Sequence, residues 1–419
     1  MFDIALPHIV EQHAEEAAFL WFLRNRAVHA PHYRLFELTR LDNRVEAHLD
    51  GLRVAGEDGW NLCEQALAIG EASEVFAAAI LALESKNPQK LAKVIDIAET
   101  SPQASKGLIS ALGWIEPAKL SGTVKRLLNS TSSAEQLIGL SACAVHRVNP
   151  GNILDELIQS PDTSVQLRAR ALRTAGELKR SDLIHQSCDH LRAEDAAVRY
   201  WAAWAAVLMG NRSEALEALK TFVAIPSTKT PNPLPTLLRA LPLDQAQALL
   251  KGLAQYPERI RDLISGAGIV GDPLYIPWLI QQMQVPALAR LAGEAFSLIS
   301  GIDLAYDDLE GERPQDFESG PTEDPADHNV ELDSDEDLPW PDPAKIQVWW
   351  AANQQKFQIG TRYLLGTPLN ETQCRHVLRT GFQRQRVAAA LELALLKHDE
   401  ILFEVRGPGW RQQRLLLQS

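Results

Sequence analysis

Three short clusters bring metal- or proton-active side chains together. In IHQSCDH, His185, Cys188 and His190 lie close in sequence. On a helix His185 and Cys188 share a face, but His190 points elsewhere and a tetrahedral zinc site would lack its fourth ligand. The stretch reads as a partly exposed helix. HAPHY places His29 and His32 between two N-terminal helices, where turn residues are expected. DSDED, at 333–337, has the acid density of a calcium loop. An EF-hand needs Gly at the sixth position and a bidentate Glu at the twelfth, and Leu338 and Ala344 stand there instead. We assign no metal ligand, no cofactor and no catalytic residue.

Larger catalytic signatures are missing as well. The chain has no Walker-type phosphate loop, no G-x-G-x-x-G fingerprint and no G-x-S-x-G nucleophile elbow. Charge narrows the choice further. The net charge of -13 over 419 residues is unevenly spread. Residues 303–344 carry 16 Asp and Glu against the single Arg313, whereas 345–419 are mildly basic, with 11 Lys and Arg against 5 acids. No basic face suited to replacing the counterions of a nucleic acid is evident, so nucleic-acid binding is not expected. Four scattered cysteines argue for a reducing compartment without a disulfide framework. The N-terminus lacks a signal-peptide pattern, and no 18-residue apolar run free of charges occurs. A cytoplasmic protein without a membrane span is expected.

The elements that must carry any site are helices. Small residues recur at a step of 31, at Ala82, Gly113, Ala144, Ala175, Ala206 and Gly268, with Leu237 filling the remaining place. Four residues earlier stand Ala78, Ile109, Leu140, Ala171, Ala202 and Ile264. Residues four apart share one helix face, and small ones let a neighbouring helix approach closely. Thirty-one residues hold two helices and two turns, and the turn signals NPGN, SPD and GDP fall between them. A hairpin of this size cannot bury its apolar face alone, so an all-α stack of seven or eight hairpins is expected.

The R-x-x-A pattern in the second helix and the GDP turn resemble those of HEAT-like repeat proteins over roughly residues 40–301. The resemblance implies an α-solenoid and says nothing specific about function. HEAT-like hydroxylases use His-Glu pairs, and no such dipeptide occurs here; HEAT-like glycosylases need a basic groove; HEAT-type lyases stay open as an alternative. Arg44, Arg168, Arg199, Arg261 and Arg290 form a ladder at equivalent positions. They read either as structural ties to turn acids such as Asp162, Asp195 and Asp272, or as a cationic strip for an acidic ligand.

That ladder bears on the acidic segment 303–344, whose six prolines and two glycines forbid a long helix. Tyr306, Phe317, Leu332, Leu338 and Trp340 are spaced through it like anchors. Three readings stay open: a plain linker, a segment docked with its acids near the arginines, or a motif presented to a partner. Asp335, Glu336, Asp337, Trp340, Arg168, Arg199, Arg261 and Arg290 are the candidate partner-binding residues. The domain plan is a helical N-terminal cap (1–40), repeats (41–302), the acidic segment (303–344) and a helical C-terminal cap (345–419). In that cap Asn370 or Thr372 starts a helix, Trp349 or Trp350 enters the core, and Gly-Pro-Gly at 407–409 suggests a hairpin or an extended arm.

Four longer stretches together resemble an uncharacterised bacterial family over essentially the whole chain. They are HYRLFELTRLDNRVEAHLDGL, GIVGDPLYIPWLI, AYDDLEGERPQDFESGPTEDP and LPWPDPAKIQVWW with GTRYLLG. Members of that family tend to be encoded beside type VI secretion components, near spike-associated proteins. The resemblance implies a non-enzymatic adaptor or chaperone whose partner is a secretion effector or spike protein. An enzyme, or an immunity protein against a neighbouring toxin, is the alternative.

Overall fold

A computed structural model describes residues 6–225, 230–315, 317–320 and 333–418. These residues are mostly helical. They form 22 α-helices and one two-stranded ladder, Tyr363–Leu364 antiparallel to Thr367–Pro368. Among them no helix is long and apolar enough to cross a membrane.

The helices start and stop where local chemistry directs. Side chains of Asn87, Ser101, Ser132, Asp195 and Asn370 accept first-turn amide hydrogens, meeting donors that have no partner within the helix. Prolines occupy the first turns at 88, 102, 286 and 343, where a missing N–H costs nothing. Several of the longer helices end on a residue of positive φ: Lys86 (54°), Arg147 (56°), Lys179 (51°), Gly271 (72°) and Gly301 (78°). Three of those five are basic, a placement favoured by the negative end of the helix dipole.

The chain divides into two compact units. The first comprises Met1–Ala218 together with His398–Ser419, and the second comprises Leu219–Lys397. Within the first, two long helices, Pro7–Ala27 and Leu35–Ala55, pack together. The longer helices that follow then pack in succession: Ala72–Ser85 on Pro102–Trp114, that on Ser133–His146, then Val165–Glu177, then Ala196–Leu208. Ala78, Ala82, Leu140, Ala144, Ala171, Ala175, Ala202 and Ala206 are fully buried along this row. In the second unit Leu234–Ala240, Ile260–Val270 and Pro286–Ser300 pack in the same successive way. Its core joins Ile264, Ala267, Phe296 and Ile299 to Ile346, Trp350 and Tyr363.

Two boundaries expected from sequence move. The 40/41 boundary falls inside the Leu35–Ala55 helix, so the first helices are not detached from the rows that follow. The stretch 345–419 is not one cap: residues to Lys397 belong to the second unit, and His398–Ser419 pack with the first. Gly-Pro-Gly makes no hairpin; an arm without regular secondary structure precedes it, and the Gly409–Gln418 helix follows against Leu35–Ala55. The turn is pinned on both sides, since Arg24 Nη2 donates to Gly407 O (2.7 Å) and the Gly409 amide donates to Asp42 (2.6 Å).

Candidate functional site

The acidic segment meets the arginines in the second unit. Arg261 lies in the first turn of Ile260–Val270, and Arg290 lies in the second turn of Pro286–Ser300. Glu294 follows Arg290 one turn on, and Arg384 opens the Gln383–Leu396 helix. Residues 333–342 dock against these side chains. The Asp335 amide donates to the Asp333 carboxylate (2.9 Å) and the Leu338 amide to Asp335 O (2.9 Å), which folds the run into tight turns. Asp and Ser favour such turns because their side chains bond the backbone two residues on.

Arg261 Nη2 donates to both oxygens of Asp335 at 2.8 Å and reaches Ser334 Oγ at 3.3 Å. Asp335 is buried, only 5 % exposed. Arg290, also buried, pairs with Asp333, which accepts a further hydrogen bond from Ser319 Oγ. The Arg290 guanidinium lies over Trp340, 4.6 Å from the ring centroid, and 5.8 Å from that of Phe317. Phe317 meets Trp340 edge-on at 5.2 Å. Arg384 bridges Glu294 (3.1 Å) and Ser334 O (3.3 Å). Behind the aromatic pair, Gly311 N–H donates to Trp340 O (2.7 Å) and Asp342 N–H to Leu309 O (2.9 Å). Leu304, Leu309 and Leu338 are buried beneath.

Electrostatics divides the two kinds of carboxyl here. Burial opposes the charged form of Asp333, but bonds from Ser319, the Asp335 amide and Arg290 prevail and hold its pKa below the ordinary Asp value. Glu294 goes the other way: burial raises its pKa, and Arg384 only partly offsets this. The site therefore holds a carboxylate kept charged beside a carboxyl that resists ionising.

The expected residues do not all converge. Asp335, Trp340, Arg261 and Arg290 do; Glu336 and Asp337 are exposed on the outer side of the turn. Arg168 and Arg199 lie in the first unit and bond backbone carbonyls of their own preceding turns, Ser160 for the first, Ala193 (2.6 Å) and Glu194 (2.7 Å) for the second. Two of the turn acids named as counterparts are used otherwise: Asp195 caps Val198 N, and Asp272 accepts from Leu274 N, Gln247 and Gly360 N. Arg384 and Glu294 were not singled out by sequence; they are 90 residues apart, and no local pattern links them.

The other clusters resolve into ordinary contacts. His190 Nε2 bonds Ile158 O (2.9 Å), and Cys188 Sγ receives a hydrogen bond from Asn211 (3.3 Å). Burial pushes the Cys188 thiol up to about 11. The paired carboxylates of DSDED are committed to guanidinium groups. Leu332 lies outside the described residues. Among the described residues no group of three or more His, Cys, Asp or Glu is placed to hold a metal ion. No protein-family model, curated protein or solved structure matches the chain.

Proposed function

We propose that the chain is a protein-binding scaffold, an α-solenoid of HEAT-like hairpins, and that the Arg261–Arg290–Arg384 groove recognises short acidic segments ending in an aromatic residue. The observation that carries this reading is the bound state itself. Asp335 and Asp333 each occupy an arginine while Trp340 stacks on one of them, the arrangement by which arginine clusters read acidic motifs. Residues 333–340 are then a built-in ligand, and a partner carrying a similar segment competes with them. The successive packing of the longer helices supports the solenoid reading. The family resemblance supports an adaptor role toward a secretion effector or spike protein.

Hydrogen exchange of the full-length protein tests the groove. The amides of Asp335, Leu338 and Asp342 are expected to be protected in the wild type and to exchange at least tenfold faster in Arg261→Gln/Arg290→Gln, with the Pro343–Asn353 helix unchanged. Equal exchange in both proteins removes the groove as a recognition site. Co-purification with a spike protein that Asp333→Asn/Asp335→Asn strengthens and Arg261→Gln/Arg290→Gln weakens supports the competition; co-purification unaffected by either moves the partner to another surface.

A further inference from the structure

The first helix of the row, Pro7–Ala27, has two faces of different character. One turns Val10, Ala17, Trp21 and Arg24 inward, against Leu35–Ala55, Glu57–Ala66 and Ala72–Ser85. On the opposite side His8, Gln12, Glu15, Phe19, Phe22 and Arg26 are all exposed. Their steps of 4, 3, 4, 3 and 4 residues keep them in one narrow stripe along the helix, the seam spacing of a coiled coil. At the centre of the stripe Phe19 is 55 % exposed and Phe22 45 %.

A terminal helix of a stack has no neighbour on its outer side, and a polar outer face is what keeps such an end soluble. Single exposed apolar side chains are common, but two phenylalanines one turn apart on that side make a patch. The charges around it say what covers it. Glu15 lies four residues before Phe19, and Arg26 lies four residues after Phe22, so the stripe is symmetric in position and opposite in charge about its middle. Among the described residues neither side chain has an ion-pair partner. The segregation extends beyond the stripe. Residues 7–16 hold Glu11, Glu15 and Glu16 and no Lys or Arg, whereas 17–33 hold Arg24 and Arg26 and no acid. Arg24 is already committed to Asp42 on the inner side.

We propose that this face binds a second copy of the chain, the two Pro7–Ala27 helices running antiparallel about a twofold axis between the phenylalanine pairs. Glu15 of each copy then meets Arg26 of the other, and Phe19 packs on Phe22. Glu11 and Glu16 approach a half-helix that holds no acid. Such an interface is self-complementary and closes at two copies. A parallel pairing sets Glu15 against Glu15, and it is the charge pattern that rejects it. The four rings supply the apolar centre, while the ion pairs at its rim fix direction more than strength. One pair of helices is a small contact, so the dimer is concentration-dependent. The face belongs to the first unit and does not depend on the groove that holds Asp333 and Asp335.

Sedimentation velocity of the full-length protein, over about two decades of concentration, tests this. A reversible monomer–dimer equilibrium is expected. Phe19→Gln/Phe22→Gln should weaken it by about tenfold or more, as loss of the buried rings predicts. Both rings are exposed on the single chain, so the melting temperature of the monomer should not change. Glu15→Arg and Arg26→Glu should each weaken the dimer about fivefold by setting like charges together. Combined in one chain they should restore it, because the exchanged charges again face their opposites. This charge exchange gives a second reading should the phenylalanine variant melt early. Three results overturn the proposal: a monomer at every concentration, a dimer that the phenylalanine variant leaves intact, or a charge exchange that fails to restore what its two halves lost.

Discussion

Arg290 does two jobs that a lysine could not combine. Its planar guanidinium offers an edge to Asp333 and a face to Trp340, so charge recognition and aromatic packing share one side chain. Arg261 and Arg290 were legible in the sequence because spacing put them in one ladder, and the acids because composition isolated them. Spacing did not separate these arginines from Arg168 and Arg199, because the difference lies in what approaches each one. His13 and His48 approach with Nδ1 atoms 3.1 Å apart, and the His48 pKa is lowered, first by burial and then by the neighbouring ring. The neutral imidazole is thus the form the fold favours. Stability of the first unit should hold above the usual His value of 6.5 and fall as pH drops below it. A melting series from about pH 7.5 to 5.5 should show this decline, and His48→Gln should flatten it.

Among the elements, the row of longer helices was the most legible part, because a small residue that must admit a neighbour leaves a mark at every turn of the pattern. Gly268 shows why. A Cβ there would lie 2.9 Å from the Ala295 Cα on the adjacent helix, a contact that only separation of the two backbones relieves. Gly268→Ala is therefore expected to destabilise the second unit by about 1–3 kcal/mol, the range for overpacking a filled core. A variant melting with the wild type would mean that these helices are not held in close contact. Ile115, by contrast, ends its helix in extended backbone, whereas Lys86 and Arg147 end theirs left-handed. The arm was less legible. Gly-Pro-Gly announces a turn, but its placement depends on Asp42 and Arg24, more than 360 positions away.

For the whole molecule, net charge conceals the organisation that matters. The acidic block is not simply a solvated spacer, since part of it is neutralised on arginines that belong to the same unit. Nor do the unit boundaries follow the composition changes. The mildly basic end beyond residue 345 is shared between units at Lys397/His398. Ending the chain after Lys397 should remove one hydrogen-bond partner each from Arg24, Asp42, Arg147 and Glu177 in the first unit and leave the second intact. Calorimetry should then show one transition moved to lower temperature and another in place. A single transition shifted as a whole would mean that the two units melt as one.

Because 398–419 complete the first unit, that unit is discontinuous along the chain, with the whole of the second inserted between its parts. A ribosome emits the Arg24–Asp42 pair and the Leu35–Ala55 helix early, yet the residues that cover them emerge only after the second unit has been made. Throughout that interval the Trp114 ring lacks Trp410, its eventual neighbour at 4.9 Å, and this edge stays open to solvent or to a chaperone. Vectorial synthesis thus gives the second unit the first opportunity to finish folding, although it is encoded later.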